Sequence, residues 1–217
     1  MGDLFHESVP FEFIRRVFHI MFCSERHIFQ VLTKRPEIML AFCRQTGIDE
    51  DAASLRTALG AVENPAILPN VWLGVSVEDQ ESADKRIPLL LRTPAAVRWV
   101  SYEPALGPVD FSQTIPCGYY CAESVGHVDH GPNGNLGSIG WIVAGGESGP
   151  KARPSDLAWY RSVRDQCKEA RVPFFMKQLG RNPVENPIWK GGPINNRKGD
   201  DPAEWPEDLR IREYPAS

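Results

Sequence analysis

Apolar and polar positions along the chain form two alternating kinds of segment. Five short apolar runs, rich in β-branched and aromatic residues, each end at a polar or charged cluster; they cover His27–Arg35, Val71–Asp79, Val97–Glu103, Trp141–Ser148 and Pro173–Gln178. Strands that read as continuous apolar runs are buried on both faces, as in a parallel sheet covered by helices. The pattern therefore predicts an α/β fold built on a parallel sheet.

Helical periodicity fills most of the intervals between these runs. Apolar residues at spacings of three and four predict a helix over about residues 11–24 and a second helix from Pro36. We expect a short helix over 52–59, a third over 81–91 that contains Pro88, and a fourth that ends near Ala170 with Ser155 as its N-cap. Right-handed crossovers then give a parallel partial (β/α) barrel of the TIM type or an open doubly wound sheet.

Two segments interrupt the alternation and set the predicted domain organisation. We expect a (β/α) partial barrel over residues 1–181 with a polar, Gly-rich insertion at 112–138. Residues 182–217 are rich in proline and glycine and predict an irregular tail that packs on the domain through Trp189 and Trp205. Residues 1–6 look like the end of a strand-to-helix connection, so we expect a sheet that lacks its first strand or strands.

Composition excludes several classes of protein. A chain of 217 residues with 42% hydrophobic residues and a net charge of −4 is typical of a globular domain without a broad nucleic-acid-binding surface. Its apolar runs are shorter than the about 18 residues of a membrane span. No signal-peptide pattern opens the sequence, and five scattered cysteines fit a reducing cytoplasm. We therefore expect a cytoplasmic protein without a membrane partner.

The strand ends carry the candidate ligand-binding residues, because parallel α/β folds place their sites at the carboxyl ends of the strands. These candidates are Lys34, Ser76, Glu78, Glu103, Gly145, Gly146, Glu147 and Lys177. The three glutamates suit an amine, a pair of ribose hydroxyls, a metal ion or proton transfer. The alternative is a set of structural ion pairs with the lysines, and no catalytic role is assigned to any of them.

The segment WIVAGGESGPKARPS is the strongest local motif. Gly145 and Gly146 permit a positive φ and the close approach of a ligand to the backbone. Lys151 and Arg153 follow before a predicted helix, where an anion could bind. The spacing is that of neither a P-loop nor a dinucleotide-binding loop. The alternative is a tight turn closed by a salt bridge.

The insertion contains the candidate metal ligands Cys117, Cys121, His127 and His130. Ser124 stands where a third cysteine would complete an iron–sulfur motif, and serine is a poor ligand for such a cluster. The two cysteines and two histidines could instead form a compact zinc site, or they are loop residues with free thiols.

Seven segments resemble a known family. They are DLFHESVP, FQVLTKRPE, NVWLGVSVEDQ, ADKRIPLLLRTPA, VRWVSYEPALGPVD, WIVAGGESGPKARP and VPFFMKQLG, which together extend from Asp3 to Gly180. They are similar to a radical-S-adenosylmethionine-like family of unknown function from bacteriophages, prophages and bacteria. That resemblance implies a partial barrel that holds S-adenosylmethionine and a [4Fe–4S] cluster through a three-cysteine motif. The motif has no counterpart in this sequence, so its ligands are not carried over.

The resemblance leads to three functional hypotheses. In the first, the chain corresponds to the C-terminal portion of a radical-S-adenosylmethionine-like protein with a strand-end pocket for a nucleotide-like or S-adenosylmethionine-like ligand, and it is inactive in radical chemistry by itself. In the second, it is a non-enzymatic paralogue that binds a nucleotide-like ligand or a partner protein, and it folds as a stable monomer or closes its open sheet edge as a homodimer. In the third, it is a metal-assisted hydrolase that uses the glutamates.

Overall fold

The computed structural model describes residues 2–45, 67–112, 139–185 and 195–216. The described elements, in chain order, are α1 Phe11–Cys23, β1 Phe29–Thr33, α2 Pro36–Gln45, β2 Val71–Val77, α3 Gln80–Leu91, β3 Val97–Tyr102, β4 Trp141–Gly145, β5 Ser155–Asp156, α4 Leu157–Ala170, β6 Phe174–Gln178 and β7 Pro183–Val184. Each of the five predicted strands and the four longer predicted helices is present in the described ranges. The predicted α/β fold is confirmed.

Five strands form a parallel sheet in the order β1-β2-β3-β4-β6. Every pair of neighbours is parallel, and the order follows the chain without a reversal. A doubly wound sheet reverses its strand order at a switch point, whereas a (β/α) barrel adds each strand beside the last. The described sheet therefore winds as a partial (β/α) barrel, and no closure between β1 and β6 is found in the described ranges.

The two faces of the sheet are buried against different partners. Residues Val75, Val100, Ile142 and Met176 belong to one apolar cluster together with residues of the helices, on what we call the helix face. The alternate positions carry a second cluster of Trp72, Trp99, Trp141 and Val143, on what we call the Trp face. Side chains alternate between faces along a strand, so burial on both faces explains why the strands read as continuous apolar runs.

The aromatic residues of the Trp face contact one another across neighbouring strands. The ring centroids of Trp99 and Trp141 lie 5.6 Å apart, and those of Trp72 and Trp141 lie 5.9 Å apart. Gly74 makes room for this arrangement, because a Cβ built on it would lie 2.5 Å from Cε2 of the Trp99 ring. The indole of Trp99 therefore lies flat over β2 at the position that a side chain would fill.

The C-terminal segment is attached to β6 and to the strand ends. The backbone of residues 211–213 hydrogen-bonds to Phe174 and Met176, so this segment covers the outer edge of β6. Trp205 is 2% exposed, and its Nε1 donates to the carbonyl oxygen of Gly199 at 2.9 Å. Burial of Trp205 agrees with the prediction that this residue fastens the tail.

One sequence prediction needs correction, and three lie outside the described ranges. Ser155 is not the N-cap of α4: its backbone pairs in β5 with β7, and Asp156 caps the helix by accepting from the N–H of Ala158. The predicted helix at 52–59, the insertion from residue 113 onward and Trp189 lie outside the described residues.

No helix in the described ranges has the length and apolar character needed to cross a membrane.

Candidate functional site

The carboxyl ends of β2 and β3 place two glutamates side by side. Ser76 pairs in register with Ser101, and Val77 pairs with Tyr102. Glu78 comes directly after β2 and Glu103 directly after β3. By the alternation of side chains, both lie on the Trp face, two residues beyond Ser76 and Ser101. The loop after β3 fixes both ends, because the N–H of Leu106 donates to the Glu78 carbonyl oxygen at 2.8 Å.

Glu78 is held at the junction between β2 and α3. Asp79 and Ser82 form a reciprocal capping box, in which the carboxylate of Asp79 accepts from the N–H of Ser82 at 2.9 Å. The hydroxyl of Ser82 also accepts from the N–H of Glu78 at 2.8 Å. A strand that ends at Val77 and a helix capped by Asp79 leave Glu78 as the single residue between them, so its side-chain direction is set by the backbone on both sides.

Two cations bind the carboxylate of Glu78. Lys34, which follows β1, brings its Nζ within 2.5 Å of Oε1, and Nη1 of Arg86 from α3 lies 2.7 Å from Oε2. Arg86 also donates to the Ser76 carbonyl oxygen at 2.7 Å. The Glu78 side chain is 12% exposed and that of Lys34 is 54% exposed. The pair therefore joins a mostly buried carboxylate to an ammonium that solvent reaches.

Glu103 and Lys177 form a second pair of the same kind. Nζ of Lys177 donates to Oε2 of Glu103 at 2.8 Å, with side-chain exposures of 52% and 17% respectively. The carboxylate of Glu103 lies over Gly145, where an added Cβ would be 3.1 Å from its Cδ. Gly145 therefore serves the site by leaving space for Glu103.

Glu147 is part of a separate salt bridge on the loop after β4. Its two carboxylate oxygens accept from Nε and Nη2 of Arg153, each at 2.9 Å, and Oε2 also accepts from the Arg153 N–H at 2.8 Å. The hydrogen bonds from the Arg153 side chain and backbone lower the pKa of Glu147 to about 2. This loop is therefore a turn closed by a salt bridge, which is one of the two interpretations of the motif. Arg153 takes part in that salt bridge.

Gly145 and Gly146 do not adopt the positive φ that glycine permits. The described glycines with positive φ are Gly149, Gly180 and Gly199. Gly146 instead meets the backbone of Leu179, because an added Cβ would lie 2.1 Å from the Leu179 carbonyl oxygen. The close approach at Gly146 is that of the chain to itself, and Gln178 Nε2 adds a hydrogen bond to the Gly146 carbonyl oxygen at 2.7 Å.

Polar side chains lie one layer below the two glutamates on the Trp face. Ser76 and Ser101 are 6% and 4% exposed. Nε1 of Trp99 is buried without a hydrogen-bond partner among the described residues. The strand ends thus carry two charged pairs above a layer with two buried serines and an unpartnered indole N–H.

Two charged residues that contact these strand ends were not predicted from the sequence. Arg86 binds the carboxylate of Glu78, and Asp3 accepts from Oγ1 of Thr33 at 2.8 Å and from Nη1 of Arg35 at 3.2 Å. Burial raises the pKa of Asp3, but the hydrogen bonds from Thr33, two backbone N–H groups and Arg35 outweigh it and lower that pKa. Glu78 lies before α3 and eight residues from Arg86, so no local spacing indicates their contact.

The described residues do not fit a metal or an iron–sulfur cluster. Cys43 and Cys167 are buried, and burial raises the pKa of each thiol to about 12, so both stay protonated. Cys23 is exposed on α1, and no group of three histidine, cysteine or carboxylate side chains in the described ranges could hold a metal ion. The zinc ligands predicted in the insertion lie outside the described residues.

A cavity of about 780 Å³ lies at the opposite end of the sheet. It is bounded by the C-terminal half of α4, the start of β6 and the tail. Its carboxylates already have partners: Asp208 binds Arg164 at 2.6 Å, and Glu213 accepts from the N–H of Phe174 at 3.0 Å. Lys168 and Arg171 also line this cavity.

The winding of the sheet and the charged strand ends define a parallel α/β protein of the (β/α) barrel type. A family described as a protein of unknown function (DUF5131) matches residues 1–205, and the chain belongs to this family. No match was found among the curated proteins or among the solved structures.

Proposed function

We propose that the strand ends of β1, β2, β3 and β6 bind a nucleotide-like or S-adenosylmethionine-like small molecule. The observation that carries this proposal is the pair of mostly buried carboxylates, Glu78 and Glu103, each joined to a half-exposed lysine. Desolvation of a mostly buried carboxylate offsets much of its attraction to a lysine, so stability alone gives little reason to gather four charges here. Carboxylates suit ribose hydroxyls and ammonium groups, and lysines suit carboxylates and phosphates.

The resemblance extends this proposal to a radical-S-adenosylmethionine-like protein of phage or prophage origin that acts in the cytoplasm. The seven motifs support that relationship, since they supply both the strands and the strand-end residues Glu78, Glu103 and Glu147. No reaction step is assigned to an iron–sulfur cluster, because the described cysteines do not fit one. The proposal for these residues is binding and orientation of a ligand.

Calorimetric titration with adenosine and with S-adenosylmethionine tests the proposal. We expect the wild-type protein to bind at least one of them, and Glu103→Gln to weaken that binding about 10- to 100-fold through loss of charge-assisted hydrogen bonds. Glu169→Gln is the matched control, because Glu169 is exposed on α4 away from the strand ends. Absence of binding to both compounds, or equal affinities for wild type and Glu103→Gln, would contradict it.

A homodimer through β1 is the second candidate. Among the described strands β1 pairs on one side only, with β2, and Ile28 beside it is 51% exposed. An edge with free N–H and C=O groups is a template for pairing with another chain. Sedimentation equilibrium should give twice the monomer mass at micromolar concentration, and Gln30→Pro, which alters the exposed edge, should restore the monomer. A monomer mass for the wild type would overturn this candidate.

A further inference from the structure

Nε1 of Trp99 is buried on the Trp face without a hydrogen-bond partner among the described residues. The hydroxyls of Ser76 and Ser101 belong to the same face, on residues that are 6% and 4% exposed. A buried polar group without a hydrogen bond costs about 1–3 kcal/mol. Ser76 and Ser101 pair in register on neighbouring strands, so their side chains leave the sheet together, one layer below Glu78 and Glu103.

The chemistry of these groups favours a ligand that accepts hydrogen bonds. An indole N–H can only donate, and each serine hydroxyl can donate one hydrogen bond. The ammonium groups of Lys34 and Lys177 lie above the serine layer and each contacts a carboxylate, which leaves further N–H donors on each lysine. The site therefore offers hydrogen-bond donors from the serine layer and from the two lysines at the strand ends.

Glu78 binds two cations, because Lys34 contacts Oε1 and Arg86 contacts Oε2. Lys34 can therefore exchange the Glu78 carboxylate for a ligand oxygen while Arg86 keeps Glu78 paired.

We infer that the ligand bound at the strand ends carries a phosphate group, which the hydroxyls of Ser76 and Ser101 and the ammonium of Lys34 receive. This inference rests on the proposed function and names one chemical class within it. It differs from anion binding at a helix N-terminus, because it uses side chains at the ends of β1, β2 and β3 and no N–H group of α3. Phosphate offers several acceptor oxygens to this set of donors.

Titration with AMP, adenosine and inorganic phosphate tests the inference. We expect AMP to bind at least 10-fold more tightly than adenosine, and this preference to fall below about threefold in Lys34→Gln and in the double variant Ser76→Ala/Ser101→Ala. Lys168→Gln, which changes an exposed lysine on α4, should keep the full preference. Urea unfolding curves that match the wild type would show that the variants are folded.

The possible results separate this inference from the proposed function. Adenosine that binds as tightly as AMP would overturn the phosphate assignment and leave the proposed function standing. Absence of binding by AMP, adenosine and S-adenosylmethionine alike would overturn the two together, whereas binding of S-adenosylmethionine without AMP would overturn the phosphate assignment alone. Competition by inorganic phosphate alone would support a free phosphate group as the recognised unit, whereas AMP binding that millimolar phosphate does not displace would support a nucleotide. A preference for AMP that survives in Lys34→Gln and in the serine double variant would overturn the named residues.

Discussion

Gly74 shows how one residue shapes the Trp face. A Cβ at this position would lie 2.5 Å from the Trp99 ring, which is itself 6% exposed and packed against Trp141. We expect Gly74→Ala to lower the free energy of unfolding by about 1–3 kcal/mol, because the ring must move within a packed layer. Urea unfolding measures this change.

Gly107→Ala is the matched control for Gly74→Ala. A Cβ at Gly107 would make an ordinary contact of 3.6 Å with Asp79, so its effect should stay below about 1 kcal/mol. If Gly74→Ala were as mild as Gly107→Ala, the indole of Trp99 would not lie over β2 as described.

Single residues also show what the sequence could and could not predict about the site. Glu78 and Glu103 were identifiable because each directly follows an apolar run, and a strand end is a position that sequence specifies well. Arg86 was not identified, because its contact with Glu78 depends on how α3 returns over the sheet. Gly146 was misread, since a glycine that meets a ligand and a glycine that meets the backbone of Leu179 look alike in sequence.

The salt bridge of Glu147 predicts how stability depends on pH. Hydrogen bonds from Arg153 lower the folded-state pKa of Glu147 to about 2, below its value of 4.5 in a model peptide. Its contribution to stability is therefore complete above about pH 5 and is lost as the pH falls toward about 2. We expect wild type to lose more stability than Glu147→Gln across this range in urea titrations, and parallel losses would contradict the salt bridge.

At the scale of elements, strands and helices were predictable and their winding was not. Apolar runs and helical spacing identified β1 to β4, β6 and the four helices, because burial on both faces leaves a direct mark on composition. The choice between a barrel and a doubly wound sheet depends on which side of the sheet each new strand joins. That choice rests on crossover packing, which no local pattern records. The start of α4 was misplaced by one residue because Ser155 pairs with the remote β7.

The capping box of α3 gives a prediction about an element. Asp79→Ala removes the acceptor for the Ser82 N–H and should lower the free energy of unfolding by about 0.5–2 kcal/mol. Asp84→Ala is the control, because Asp84 is exposed in the same helix and accepts from the side chain of Gln80. Chemical denaturation of both variants measures the difference, and equal stabilities would argue against the cap.

At the scale of the whole molecule, the tail is part of the folded structure. Trp205 is buried, donates to the Gly199 carbonyl oxygen, and lies under the guanidinium of Arg212, whose Cζ is 5.2 Å from the ring centroid. We expect Trp205→Ala to cost about 3–5 kcal/mol, as for other buried aromatic residues. Tyr214→Ala, at a residue that is 60% exposed, should cost distinctly less in the same thermal or urea unfolding series. Equal effects would contradict the described attachment of the tail.

The sequence could predict burial of Trp205 but not its neighbours. The tail packs on the edge of β6 and near three glycines at which two backbone segments touch. These glycines are Gly146, Gly180 and Gly199. Such contacts join residues that are far apart in the chain, and a glycine is the only sign of them in the sequence. The sequence of the tail therefore predicts an irregular segment, although the backbone of the tail is hydrogen-bonded to Phe174 and Met176.

The central claim is that ligand binding takes place at the strand ends. Hydrogen–deuterium exchange with and without saturating AMP tests it most directly, because it reports the location of binding along the whole chain. We predict slower exchange in the peptides that contain residues 76–79 and 101–106, with little change in the C-terminal half of α4. Slower exchange around the cavity between α4 and the tail, or no change at the strand ends, would contradict the account.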